Sequence, residues 1–198
     1  MRDILKGGEL GFPPLQVAEI IREPGEDPRV VAAQHRTFLQ RRLVHVRATE
    51  GSGRNATQLC GPGDLAVTKI LRIVTSLGIS DNSFMEAASN ACYSWREEHK
   101  PSARTAHPIT DAILGSTLGE SWYFRADLVV DDQTGGRRIL AKVYNADTED
   151  LGDPFLPLGA IVIPTCKFAE RIISAKSVAA TSPGNPSSMV NVRRNVVL

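Results

Sequence analysis

The sequence predicts an α+β fold, and three observations carry that expectation. Apolar residues recur at helical spacing, with capping residues at the appropriate ends, through most of the first hundred positions. A short alternating stretch around a glycine-rich turn interrupts them at about 43–59. After residue 120 the period changes to two, with a turn signal between two long strands and a further apolar strand beyond.

In order along the chain, "PPLQVAEIIRE" (13–23) spaces Leu15, Val17, Ala18, Ile20 and Ile21 as a helix does, with proline at its start. "PGEDP" (24–28) breaks it, and Asp27 ahead of Pro28 is a suitable cap for a second helix to about Arg42. On a helical wheel Val31, His35, Phe38, Leu39 and Arg42 fall on one side. Arg29, Ala33, Arg36, Thr37 and Gln40 fall on the other, so the outward side is polar, basic and free of carboxylates. "LVHVRAT" (43–49), "EGSG" and "RNATQL" read as strand, turn and returning strand. "GPGD" ends that hairpin, and Asp64 is expected to cap a third helix ending at Gly78. A fourth follows within "SDNSFMEAASNACYSWREEH".

"KPSARTAHP" (100–108) reads as a linker, "ITDAILGSTL" as a short helix, and 121–145 as two strands joined by "QTGG". "LGAIVIP" (158–164) is a third strand and "TCKFAERIISAKS" a closing helix, and the polar stretch from Ala179 reads as a flexible tail. Three units are therefore expected: residues 1–99, a small α+β unit at 100–178, and a tail at 179–198.

The chain has 198 residues, 42% of them hydrophobic, enough to bury a sizeable core. Its 23 basic and 22 acidic residues leave a formal charge of +1, so no protein-wide field attracts nucleic acid or lipid. Three cysteines without metal-ligand spacing argue against a structural zinc site and for a reducing compartment. No stretch approaches the roughly 20 apolar residues of a membrane span. A cytoplasmic location without a membrane partner is expected. No GxSxG, HExxH, P-loop or GxGxxG occurs in a supporting context, so neither an enzyme nor a cofactor is expected.

Charge is segregated locally. Residues 29–54 hold six arginines (Arg29, Arg36, Arg41, Arg42, Arg47, Arg54) against the single acid Glu50, a net +5 in one stretch. Such segregation is the footprint of a phosphate-binding face. Helix, break, helix and hairpin is also the order of parts in a winged helix-turn-helix, whose second helix enters the major groove. On that reading Arg29, Arg36 and Gln40 face base edges with Thr37 nearby, and Gln34 is a second adenine-pairing candidate. Arg41, Arg47, Arg54 and Asn55 hold phosphates.

The stretch "HRTFLQRRLVHVRATEGSGRNATQLCGPGDL" resembles the MerR-like winged-helix DNA-binding domain, with the resemblance covering about residues 13–80. Arg36 matches that family's first arginine, Phe38 an aromatic, Leu43 and Val44 its leucine pair, and Arg47 the next arginine. Gly53 and Arg54 match the wing pair, and Asp64 with Leu65 the following helix start. Thr37 replaces an aromatic, Arg42 stands where glycine is usual, and the wing tyrosine and long dimerising helix are missing. "GSGRNATQLCGPGDLAVTKIL" is also similar to regulators common on bacterial prophages. The resemblance implies a transcriptional regulator that binds double-stranded DNA, and a homodimer is the default for such a module. The carboxy-terminal unit would pair subunits or contact the transcription machinery.

Two other readings fit the same residues. One is a phage-type assembly or adaptor protein that uses a helix-turn-helix without regulating a promoter. The other is a metal-dependent nuclease built on Asp127, Asp131 and Asp132, against which a strand ending in an acidic turn is the plainer explanation. Trp122, Tyr123 and Phe124 beside Arg125 are expected in a core strand rather than as base-stacking platforms. His35 is expected to pack in the core, and His45, His99 and His107 to be ordinary surface or loop residues.

Overall fold

A computed structural model describes residues 11–53, 56–95, 103–130, 135–148 and 158–181. The architecture is mixed α+β. In chain order the elements are α1 (Pro14–Ile21), α2 (Pro28–Gln40), β1 (Ala48–Glu50), β2 (Thr57–Leu59), α3 (Pro62–Ser76) and α4 (Asn82–Tyr93). α5 (Pro108–Thr117), β3 (Trp122–Val130), β4 (Arg137–Asn145), β5 (Gly159–Pro164) and α6 (Cys166–Thr181) follow. β1 and β2 form an antiparallel hairpin, and a separate antiparallel sheet has the order β4-β3-β5.

α3 is the hub of the packing. Every residue from Gly63 to Leu71 is buried, as befits a helix surrounded on all sides. One hydrophobic core runs from Phe12 to Ile172 and takes in Leu65, Ile70, Met85, Ile109, Phe124 and Phe168. The change of sequence character near residue 100 does not divide that core. α6 packs on α1 and α3, and α4 packs on β4. Trp122, Phe124 and Ala126 on β3 face this core, in keeping with the expected core strand.

The start of the described chain is pinned to the hairpin. Phe12 and Cys60 exchange backbone hydrogen bonds of 2.9 and 3.1 Å. Gly11 permits the close approach, because a Cβ there would lie 2.2 Å from that of Leu59.

Four expectations need correction. α2 stops at Gln40, because the chain turns left-handed at Arg42 (φ +58°). The Leu43 N–H bonds Phe38 O at 2.9 Å and the Arg42 N–H bonds Leu39 O at 3.0 Å, which is a Schellman closure. Arg42 is therefore exposed rather than on the apolar side, and it occupies the position where glycine avoids the steric cost. The strand expected at 43–49 shortens to Ala48–Glu50, since side chains claim the backbone ahead of it. Ser89 Oγ donates to Leu43 O at 2.7 Å, and the His45 N–H donates to Tyr93 Oη at 3.2 Å.

Asp64 is not the cap of α3. Gly61 holds that position, and Asp64, one turn in, accepts the Gly61 N–H at 2.8 Å. Lastly, α6 continues to Thr181, past the expected start of the tail at Ala179.

Candidate nucleic-acid interface

α2 is set by its ends and its period. Asp27 caps it by accepting the Arg29 N–H at 2.8 Å, and Pro28 supplies the first helical φ. Val31, Ala32, His35, Phe38 and Leu39 are buried. Arg29, Ala33, Arg36, Thr37 and Gln40 are all exposed. At 100° per residue these five positions fall within about a quarter of the helix circumference. The Arg29 and Arg36 guanidinium groups make no hydrogen bond or ion pair with any described residue. Thr37 spends its hydroxyl proton on Ala33 O at 3.2 Å and is exposed.

The orientation of that helix is braced from α3. Lys69, buried in the core, donates to Ile21 O at 2.8 Å and pairs with Glu23. Arg72 donates to Glu26 at 2.7 Å and to Gln34 Oε1 at 2.9 Å. The hydrogen bond from Arg72 holds the Glu26 carboxyl below its ordinary range. Glu23 and Glu26, in the break between α1 and α2, are thus committed to α3, and so is Gln34, the second adenine-pairing candidate. Neither Lys69 nor Arg72 was legible as a brace, because each sits on a helical pattern that gives no sign of its partner.

The remaining arginines divide. Arg41 is exposed at the end of α2, where its guanidinium donates to Asn82 Oδ1 at the start of α4. Arg47, at the base of the hairpin, donates from Nε to Asp64 Oδ2 at 3.0 Å while its side chain stays 45% exposed. Arg47 therefore ties the hairpin to α3, with its terminal nitrogens left at the surface. Arg54 and Asn55, the expected phosphate contacts of the hairpin tip, lie outside the described residues.

Asp64 anchors more than Arg47. Its other oxygen accepts the Tyr93 hydroxyl at 2.8 Å. The Tyr93 ring stacks on His45 at 3.7 Å between centroids and meets His107 edge-on at 5.5 Å. His107 Nδ1 donates to Tyr93 O at 2.8 Å, which fixes the proton on that nitrogen. Burial, then the Asp64 charge, push the Tyr93 phenol far above its ordinary range, so it acts only as a neutral donor and acceptor. His45 is an exposed loop residue and His107 a half-buried one, as expected, and both also join an aromatic cluster, while His99 lies outside the described residues. Positions 45, 93 and 107 are too far apart in sequence for any period to reveal that contact.

His35 is the packed core histidine expected. Thr68 donates its hydroxyl to Asp64 O at 2.8 Å and so accepts from His35 Nδ1–H at 3.0 Å. His35 Nε2 faces Cys60 Sγ at 3.6 Å. Burial pushes the Cys60 thiol up to about 12, so it is neutral and inert. Burial likewise lowers His35 from 6.5 to about 4. The unfolded chain then holds one more proton than the folded one between those two values, and stability falls as pH drops through that window. A slope of up to about 1.4 kcal/mol per pH unit from this residue is expected in urea unfolding below pH 6.5. His35→Gln should flatten it, and an unchanged slope in that variant would assign the effect to other groups.

Asp127 is buried and accepts Arg125 Nε at 2.8 Å, and Asp131 and Asp132 lie outside the described residues. Among the described residues no group of three His, Cys, Asp or Glu side chains is placed to hold a metal ion. No helix there is long and apolar enough to cross a membrane. No protein-family model matches the chain, and no curated protein matches it.

Proposed function

We propose that the protein binds double-stranded DNA in a sequence-specific manner, as a transcriptional regulator, through the outward side of α2. The observation that carries this reading is that side itself. Two arginines whose guanidinium groups are bonded to no described residue, a threonine and a glutamine stand within a narrow arc, without a carboxylate among them. Arginine forks onto guanine O6 and N7, and glutamine onto adenine N6 and N7, so Arg29, Arg36 and Gln40 are the base readers. Thr37 supplies a methyl contact beside them. Arg41 and Arg47 anchor the backbone, as do Arg54 and Asn55, which lie outside the described residues.

The brace from Lys69 and Arg72 supports the same reading, since a helix that reads bases must hold its angle to the groove. Enrichment of fragments from a genomic library by the full chain tests the proposal. A regulator returns a few discrete promoter-proximal sites. Broad coverage, or no enrichment, would instead favour the adaptor reading, in which the helix pair engages DNA or protein without selecting a promoter.

A further inference from the structure

The sheet order β4-β3-β5 leaves β5 with one side unpaired among the described residues. The Thr165 N–H donates to Trp122 O at 3.0 Å, and this bond sets the alternation along the ladder. Gly159, Ile161 and Ile163 turn their backbone groups toward β3. Ala160 and Val162 turn theirs outward, and both residues are exposed, Val162 to 50%. No described residue bonds those outward N–H and C=O groups.

Edge strands in soluble proteins are usually blunted by charge, and the two edges here differ in that respect. β4 carries Arg137, Arg138 and Lys142, side chains of the kind that blunt an edge. Gly159–Pro164 carries none. The strand is also self-complementary. A two-fold axis through Ile161 sets Ala160 of one copy opposite Val162 of the other, so each outward N–H meets an outward C=O in both pairs.

The ladder is bounded as well. Pro164 has no N–H to extend it, and the Leu158 N–H is already given to Leu128 O at 2.8 Å. We propose that the β5 edge pairs antiparallel with the same edge of a second copy of this chain, through four backbone hydrogen bonds. The two sheets then join into one of six strands. Because β4 is charged and β5 is used once, the pairing closes as a dimer and does not propagate into a filament.

This inference stands apart from the DNA reading, and its test contains no nucleic acid. Sedimentation velocity of the full chain over a concentration series should show a reversible dimer. Val162→Pro removes an outward N–H from each copy without touching the β3 ladder, at a place where an edge strand accepts proline. It should raise the dissociation constant roughly tenfold or more. Val162→Lys, which adds charge to the edge but leaves the backbone unchanged, should do the same and decides the matter if the proline variant proves unfolded by circular dichroism. A chain that stays monomeric throughout, or a dimer whose dissociation constant the folded variants leave in place, overturns the proposal.

Discussion

Asp64→Ala is expected to destabilise the fold by about 3 kcal/mol, because one buried and one part-buried donor are stranded at roughly 1–3 kcal/mol each. Those donors are the Tyr93 hydroxyl and the Gly61 N–H, and Asp64 itself is fully buried. The bond to Arg47 adds less, since that side chain is half-exposed and recovers water when its partner is removed. The effect should reach beyond the cap of α3, because the same carboxylate joins the hairpin base, the end of α4 and, through the Tyr93 ring, the start of α5. Urea unfolding reads the loss as a lower midpoint at constant slope. A loss below about 1 kcal/mol would mean that water replaces the carboxylate and that Asp64 is not the anchor assigned to it.

Arg36→Ala is expected to weaken binding to an enriched DNA site by about 1–3 kcal/mol and to relax the base preference at one position. Its side chain is exposed and bonded to no described residue, so the fold should keep its stability. Arg54→Ala should behave differently. A phosphate contact carries no sequence information, so every duplex should weaken alike and the salt dependence should flatten. Equal losses on specific and unrelated duplexes for Arg36→Ala would move that residue from the base readers to the phosphate contacts.

The elements that could be read in the sequence are those whose signals are local. The period of α2 separates Arg29, Arg36 and Gln40 from Val31, Phe38 and Leu39, and Asp27 with Pro28 marks its start, so the candidate face was legible almost residue by residue. Its end was not. A Schellman closure usually announces itself with glycine, and here Arg42 takes the left-handed position. "GPGD" points to Asp64 as the cap of α3, and only the hydrogen bond from Gly61 shows that the cap lies one turn earlier. The strand expected from Leu43 failed for a tertiary reason: Ser89 and Tyr93, nearly fifty residues away, take the backbone groups that a ladder needs. Arg47 illustrates the same limit at the site, since charge and position on a hairpin do not show that a buried acid at residue 64 is waiting for it. The continuous core across residue 100 was likewise hidden, because a composition shift records a change of secondary structure and not where the elements pack.

Whether α2 reads bases is decided by titrating a genome-enriched duplex with the full chain and with the double variant Arg29→Ala, Arg36→Ala, at matched salt and with unfolding midpoints measured alongside. A base-reading α2 predicts that the double variant keeps the parent midpoint, loses affinity about 100-fold or more for that duplex, and no longer distinguishes it from unrelated DNA. Undiminished affinity and discrimination in a folded double variant would exclude α2 as the base reader and move the DNA contact elsewhere on the molecule.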